Sequence, residues 1–344
     1  MAGAPDVTVD DVDDAELRAA RRERLFDALA CVDLDVLVLG RRDSVAYATG
    51  VRSLWTAATR PFAAACVLVT DARSTHLLST WNEGVPPEVP FEHLYGITWN
   101  PAIMAEALAA IPGLPNGRRI GVEALSPGFG HAVCRLVPEA VLVPADDLLR
   151  AVRAVKLRAE VERIRAAVVV AREALGAATA VLTDGAGPTA ARAAALEAAA
   201  GQGVTVPSSG VVVEPAAANP GGSLTQVDVG LLVDGYEGGL GRTVSTVPAG
   251  DAAPLSAAVT AAQRHLVDAC RPGATAADLR DAVAGATRWM VRGSGMGFEA
   301  PLITDGLGQG AVIEEGMVLS VEVEVDGRRR RDLAVVGAAA TEVL

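Results

Sequence analysis

Gln226–Val247 reads QVDVGLLVDGYEGGLGRTVSTV, and Ser320–Val325 reads SVEVEV. In the first stretch Asp234-Gly235 stands between two apolar-rich runs, the pattern of a two-residue hairpin turn. With that turn Asp228 lies opposite Gly241, and Gly230 opposite Gly239. Side chains alternate along a strand, so Asp228, Glu237, Gly239 and Gly241 share one face. In SVEVEV the alternation puts Glu322 and Glu324 on one face and the valines on the other. These two stretches supply most of the chemistry visible in the chain.

Working outward, 344 residues suit two domains of ordinary size. Apolar residues make up 51% and aromatics 3%, so Ala, Val and Leu must build the core. No run of about eighteen apolar residues is present, so no membrane span is expected. The first residues, MAGAPDVTVDDVDDAE, are acidic with neither a basic nor an apolar region. They do not read as a signal peptide, and residues 1–14 are expected to form a flexible leader. A net charge of −12 argues against nucleic acid and anionic membrane as partners and leaves a small molecule. Cys31, Cys66, Cys134 and Cys270 lack CxxC spacing and lie in or beside apolar segments. Buried reduced thiols in a cytoplasmic protein are the expectation.

Taken in order, residues 15–150 alternate helix and strand. Helical periodicity covers Ala15–Ala30. Strands are expected at Asp35–Gly40, Phe62–Thr70, Thr75–Ser79, Arg119–Glu123 and Ala140–Pro144, with helices at Pro101–Ile111 and Gly128–Leu136. That is an α/β domain. Ala151–Arg172 reads as one long linking helix and Pro188–Ala200 as a second helix. Residues 151–344 then become strand-rich, interrupted by expected helices at Pro254–Cys270 and Ala276–Met290. Antiparallel strands with helices kept apart give an α+β second domain.

Several motifs occur in a specific order. The linking segment carries Arg153, Lys156, Glu160 and Arg163-Ile164. The hairpin carries Asp228-Val-Gly230, Gly235-Tyr236 and Arg242-Thr243. Arg271-Pro272-Gly273 with Thr275 opens a helix, and Glu315-Gly316-Met317 precedes Glu322. In this order and spacing the chain resembles the creatinase/aminopeptidase P family, from about residue 15 to the C-terminus. The resemblance implies an α+β pita-bread domain preceded by a smaller creatinase-type α/β domain that begins with LDVLVLGRRDSVAYATG.

It also implies two divalent metals held by two Asp, one His and two Glu, which share a hydroxide and polarise a scissile carbonyl. Carried over position by position, Asp228 and Glu322 remain. The second Asp falls at Gly239, the His at Ser294 in GSGMG, and the last Glu at Arg331. Two carboxylates beside a guanidinium cannot hold two divalent ions, so no metal and no cofactor is expected. The proton-handling histidines of the family have no counterpart at Asn219–Gly222 or near Glu299-Ala300-Pro301. His76, His93, His131 and His265 match no catalytic position. The family's metal-free creatinase site has a His ahead of the hairpin and a Glu where Gly241 stands, so creatine hydrolysis is not expected.

The candidate catalytic residues are Asp228, Glu322, Glu324 and, from its loop position, Glu299. The candidate substrate-binding residues are Tyr236, Glu237, Gly239, Ser294 and Arg331. In relatives an N-terminal domain covers the site of a dimer partner, which adds Trp55, Arg60 and Trp81 as entrance residues and implies a homodimer. Taken singly, each of these residues is better suited to packing at the domain interface. Glu237 is expected in water at a strand end, and Arg242 turned away from Asp228 in a structural role. Crowded carboxylates repel and burial raises the pKa of at least one. Arg331 can answer that as a bidentate partner, or a cationic substrate group, an amine or guanidinium, can neutralise it. The expected function is a metal-independent enzyme using carboxylate acid–base chemistry on a small nitrogen-containing molecule: hydrolysis, elimination, isomerisation or cyclisation. The alternatives are a non-catalytic binding protein and a metallopeptidase with an altered ligand set.

Overall fold

The computed structural model describes residues 14–51, 65–79, 84–96, 100–202, 204, 206, 210–216, 224–245 and 252–344. Trp55, Arg60 and Trp81 lie outside these residues, as do the first thirteen residues of the expected leader. The chain divides into two compact units between Val152 and Arg153.

The first unit opens with α1 (Asp14–Cys31), then β1 (Val36–Leu39), α2 (Arg42–Thr49), β2 (Cys66–Val69), β3 (Ser74–Leu78), β4 (Leu94–Tyr95), α3 (Pro101–Ala109), β5 (Arg119–Glu123), α4 (Pro127–Leu136) and β6 (Val141–Pro144). Its strands form one sheet in the order β4-β3-β2-β1-β5-β6. β1 runs parallel to β5 and antiparallel to β2, as an α/β sheet with one inserted hairpin should. The short strand VLVL at β1 is fully buried, which is why it reads as continuous apolar sequence. Val36, Val67, Leu78, Met104, Ile120 and Val133 belong to its core cluster. Helix starts and stops follow local chemistry. The Asn100 side chain caps α3 by accepting from the Ala102 amide, with Pro101 in the first turn. Helix α2 is closed by Gly50 in the left-handed region.

The second unit takes in the end of α5 (Asp146–Ala154), then α6 (Arg158–Thr183), α7 (Pro188–Ala200), β7 (Val211–Pro215), β8 (Leu224–Val233), β9 (Tyr236–Ser245), α8 (Ala252–Ala269), α9 (Ala276–Ala282), β10 (Arg288–Gly295), β11 (Gly297–Ile303), β12 (Val318–Val325), β13 (Arg328–Val336) and β14 (Thr341–Val343). Seven strands run in the order β11-β10-β12-β13-β9-β8-β7, and β14 pairs with β13.

Two hairpin turns set the register. Asp234 and Gly235 both take positive φ, 49° and 85°, and β8 pairs with β9 so that Asp228 faces Gly241 and Gly230 faces Gly239. The same device recurs at Asp326-Gly327, φ 49° and 75°, and sets Glu322 opposite Arg331 and Glu324 opposite Arg329. On the helix face of this sheet, Val321, Val323, Trp289 and Val291 join Val259 and Leu266 of α8 in one apolar cluster.

The structure corrects two readings. The single linking helix is two helices, because Val155 forms an isolated bridge with Met317 and the Lys156 amide donates to the Gly316 carbonyl. The helix expected to reach Met290 stops at Ala282, and Arg288–Gly295 is strand. There Trp289 and Val291 enter the core while Arg288 and Arg292 point the other way, a period of two. Helix α6 is long and apolar enough to cross a membrane by composition alone. Its packing against β8, β9 and α7, which buries Ile164, Ala167, Val168 and Ala171 among others, accounts for that composition.

Cys66 and Cys270 are buried free thiols as expected, whereas Cys31 and Cys134 are exposed. Burial pushes the Cys270 thiol up to about 12.

Candidate active site

Strand alternation gives β8, β9, β10, β12 and β13 a helix face and a site face. On the helix face Tyr236 donates to Glu160 Oε1 at 2.9 Å, and Arg242 donates to the Arg331 carbonyl at 2.7 Å and pairs with Asp332. The site face carries Asp228, Glu237, Gly239, Gly241, Arg292, Ser294, Ser320, Glu322, Glu324, Arg329 and Arg331 by the same alternation.

Three guanidiniums fill the space among the acids. Arg329 pairs with Asp228, and its Nη1 lies 3.5 Å from Glu322 Oε1. Arg331 Nε lies 3.3 Å from Asp228 Oδ1, and its Nη1 is 3.9 Å from Glu237 Oε1. Arg292 grips Glu237 with both terminal nitrogens, one at 2.9 Å, and Ser294 Oγ donates to Glu237 Oε2 at 3.1 Å. Burial lowers the pKa of Arg331 and of Arg329, yet a guanidinium starts so high that it stays charged.

The acids respond in opposite directions. Burial works to raise the Glu237 pKa, but the hydrogen bond and charge of Arg292, with Arg331 and Ser294, hold it below the ordinary carboxylate value. Glu322 is raised, first by burial and then by Glu324, against the pull of Arg331, Arg288 and Arg292.

Gly239 and Gly241 are where this packing needs space. A Cβ at 239 would stand 3.6 Å from Arg331 Cζ, so the guanidinium occupies the room beside that glycine. A Cβ at 241 would meet Asp228 Oδ1 at 2.5 Å and Arg331 Cβ at 3.2 Å. Gly241→Ala is therefore expected to destabilise the protein by about 1–3 kcal/mol through overpacking. Urea denaturation measures it, and Asp228→Ala in the same chain should recover most of the loss.

The sequence-derived candidates divide. Asp228, Glu322, Glu237, Gly239, Ser294 and Arg331 come together on the site face. Glu324 is on that face but half-buried at its end, cross-strand from Arg288 and Arg329. Glu237 is not in water. Its side chain is 13% exposed and held by Arg292, because the alternation that aims it at Gly239 also aims it at the guanidiniums. Tyr236 is not a ligand-facing residue, since it is one position out of phase with Glu237 and fully buried against α6.

Glu299 is not free for catalysis either. It is 3% exposed and bonded by Arg153 Nη2 at 3.0 Å, by Lys156 Nζ and by the Met296 amide at 3.0 Å. Arg292 and Arg329 were missed. Arg329 lies two residues before Arg331 in the run Arg328–Arg331, and the same alternation places it. Reading Ala276–Met290 as helix hid the phase of β10. Among the histidines, His76 and His93 stack with centroids 4.2 Å apart in the first unit, where burial and His93 push His76 down to about 4.

A chain with a small α/β unit, followed by a hairpin-built sheet with helices on one face and acids on the other, is of the pita-bread class. The chain belongs to metallopeptidase family M24. That family's model matches residues 162–338, and the creatinase/prolidase N-terminal domain model matches residues 21–155.

No curated protein matches the chain. Among solved structures it is similar to an Xaa-Pro dipeptidase from Bacillus anthracis, with TM-score 0.75 and 18% identity, covering 95% of this chain and 97% of that one. The prolidase from Pyrococcus horikoshii OT3 gives TM-score 0.73 and 18% identity over 94% and 97%. Dipeptidase PepE from Mycobacterium ulcerans gives 0.72 and 23% over 97% and 96%. At these identities the likeness is one of fold.

The residues present do not fit the two-metal centre that the resemblance implies. Of the five ligand positions, Gly239 offers no donor, Ser294 is spent on Glu237, and Arg331 is a cation. Asp228 and Glu322 each face a guanidinium. Among the described residues no group of three or more His, Cys, Asp or Glu is placed to hold a metal ion.

Proposed function

We propose that this M24 chain is a metal-independent enzyme acting on a small nitrogen-containing molecule, with Glu322 as its acid–base group. The observation that carries the reading is that Arg329 and Arg331 stand on the carboxylates a dinuclear centre would need. Asp228 and Glu237 are paired with close guanidiniums, and Glu237 is held below the ordinary carboxylate value. Glu322 has a longer contact, 3.5 Å, and a pKa raised by burial, so of the three it is the carboxyl suited to take up and release a proton. The reaction class is proton transfer: hydrolysis, elimination, isomerisation or cyclisation.

The test is metal content together with turnover. Protein incubated with Mn²⁺, Co²⁺ or Zn²⁺ and desalted should retain substoichiometric metal by mass spectrometry. Turnover found in a panel of small amides and amino-acid derivatives should survive EDTA and vanish in Glu322→Gln. Stoichiometric metal, or turnover abolished by EDTA, defeats the proposal. A second reading, a binding protein without turnover, is favoured by the locking of both Asp228 and Glu237 in ion pairs. It requires ligand binding that Glu322→Gln leaves intact.

The same substitution has a stability signature. A carboxyl with a raised folded-state pKa binds its proton more tightly when folded, so it loses stability as pH climbs from the unfolded value through the folded one. Glu322→Gln removes that loss. The variant should gain on wild type as pH rises above the unfolded carboxyl value and through the raised folded one, and hold the gain above, as read by urea midpoints.

A further inference from the structure

We propose that the first unit carries a ligand site of its own, a cavity at one end of its sheet that takes a basic amino acid. The cavity has a volume of about 530 Å³, within the range of small-molecule pockets, and Asp35, Asp71, Ser74, His76, His93 and Arg118 are among its lining residues. All six belong to the first unit. The topology brings them together. β1 and β5 run parallel, and Asp35 and Arg118 immediately precede them. β2 runs antiparallel to β1, so the turn that joins it to β3, with Asp71 in it, returns to the same end.

The inner wall is polar and already organised. His76 is 1% exposed, with Nε2 2.9 Å from Ser74 Oγ and Nδ1 3.3 Å from the Tyr95 hydroxyl. His93 stacks on it and donates from Nδ1 to the Thr75 carbonyl at 3.1 Å, which leaves Nε2 as the ring nitrogen without a partner among the described residues. The charges stand further out. Asp35 Oδ2 accepts from the Arg118 and Arg119 amides at 2.7 and 3.0 Å, and Oδ1 has no such bond. Asp71 and Arg118 are exposed residues. Among the described residues neither of their side chains is in an ion pair, with each other or elsewhere.

Opposite charges that share a cavity but do not meet are bridged by a ligand that carries both. Its α-carboxylate takes both terminal nitrogens of the Arg118 guanidinium, the paired geometry that arginine offers a carboxylate, and its α-ammonium takes Asp71. Two carboxylates against one guanidinium leave one negative charge over, and a side-chain ammonium or guanidinium on the ligand balances it at Asp35 Oδ1. A phosphate or a dicarboxylate would meet two like charges, and a sugar would leave the charges uncompensated.

Calorimetric titration and thermal unfolding of the full-length protein with L-lysine, against cadaverine and L-glutamate at matched ionic strength, test this. L-lysine should bind saturably and raise the unfolding midpoint. Cadaverine lacks the carboxylate and L-glutamate the second cation, so each should bind about tenfold more weakly or worse. Arg118→Ala and Asp71→Asn change exposed side chains, so both should unfold at the wild-type midpoint without ligand, and each should weaken L-lysine about tenfold. Arg118→Ala also keeps the backbone amide from which Asp35 accepts. The proposal is overturned if L-lysine does not bind saturably, if cadaverine or L-glutamate binds as tightly, or if either variant holds L-lysine as wild type does.

Discussion

Glu299→Leu should lower the stability of this protein by about 3–5 kcal/mol, the loss expected when one partner of a buried ion pair is removed. Glu299 is a carboxylate in contact with two buried cations. Arg153 and Lys156 have side chains 7% and 1% exposed, and both point at its oxygens. Without it both cations lose their shared carboxylate in a low-dielectric interior, while they still donate to the Arg153, Ala154 and Met296 carbonyls. Those carbonyls soften the loss but do not cancel charge.

The loss belongs to buried cations deprived of their carboxylate rather than to a strong attraction, so a second experiment separates the two. Replacing the whole triad, Arg153→Met with Lys156→Met and Glu299→Leu, should return most of the stability, since apolar substitution of a complete buried triad is often neutral. Urea midpoints at neutral pH for the single and triple variants check this. A single variant within about 1 kcal/mol of wild type would mean that the interior is wetter than the exposures state.

The same triad shows where sequence reading reached and where it stopped. Arg153, Lys156, Glu160 and Arg163 stand out as a spaced motif, but spacing along a helix says nothing of which strand they meet. In the fold they bind Glu299, Tyr236 and Asp234, partners between 71 and 146 residues away. Period-two alternation, by contrast, is local and survives folding. It placed Asp228 against Gly241 and put Glu322 and Glu324 on one face from Asp234-Gly235 and SVEVEV alone. Asp326-Gly327 carries the same turn signal, and extending the alternation through it sets Arg329 and Arg331 among the acids.

What alternation cannot give is the ranking of charges. Glu237, near the end of β9, has the sequence context of a solvated residue. It is buried because β10 brings Arg292 and Ser294 onto it, and the apolar run around Trp289 leaves strand and helix equally open.

Rebuilding the ligand positions should convert the site face into a metal centre. The variant is Gly239→Asp, Ser294→His, Arg329→Ala and Arg331→Glu together. Only side-chain atoms of Glu237 and Arg331 lie close to where a Cβ at 239 would stand, and the Arg331 guanidinium departs in the variant. Removing Arg329 and Arg331 frees Asp228 and Glu322, and the vacated volume beside Glu237 receives the imidazole. The two introduced carboxylates join Asp228, Glu237 and Glu322 against Arg292 alone, an excess of four negative charges that two divalent ions would balance.

The variant without metal should therefore be strongly destabilised at neutral pH and recover as pH falls and the carboxylates protonate, since acids forced together have raised pKa values. Mn²⁺ or Zn²⁺ at about a hundred times its dissociation constant should restore about 2.7 kcal/mol for each ion bound, and EDTA should reverse it. Wild type in the same titration should show no midpoint shift. If the four changes bring no metal-dependent stabilisation while Glu322→Gln behaves as expected, then the guanidiniums are not what bars the ions. The strand geometry itself would then have drifted away from a two-metal spacing, and the arginines would have entered a site that was already lost.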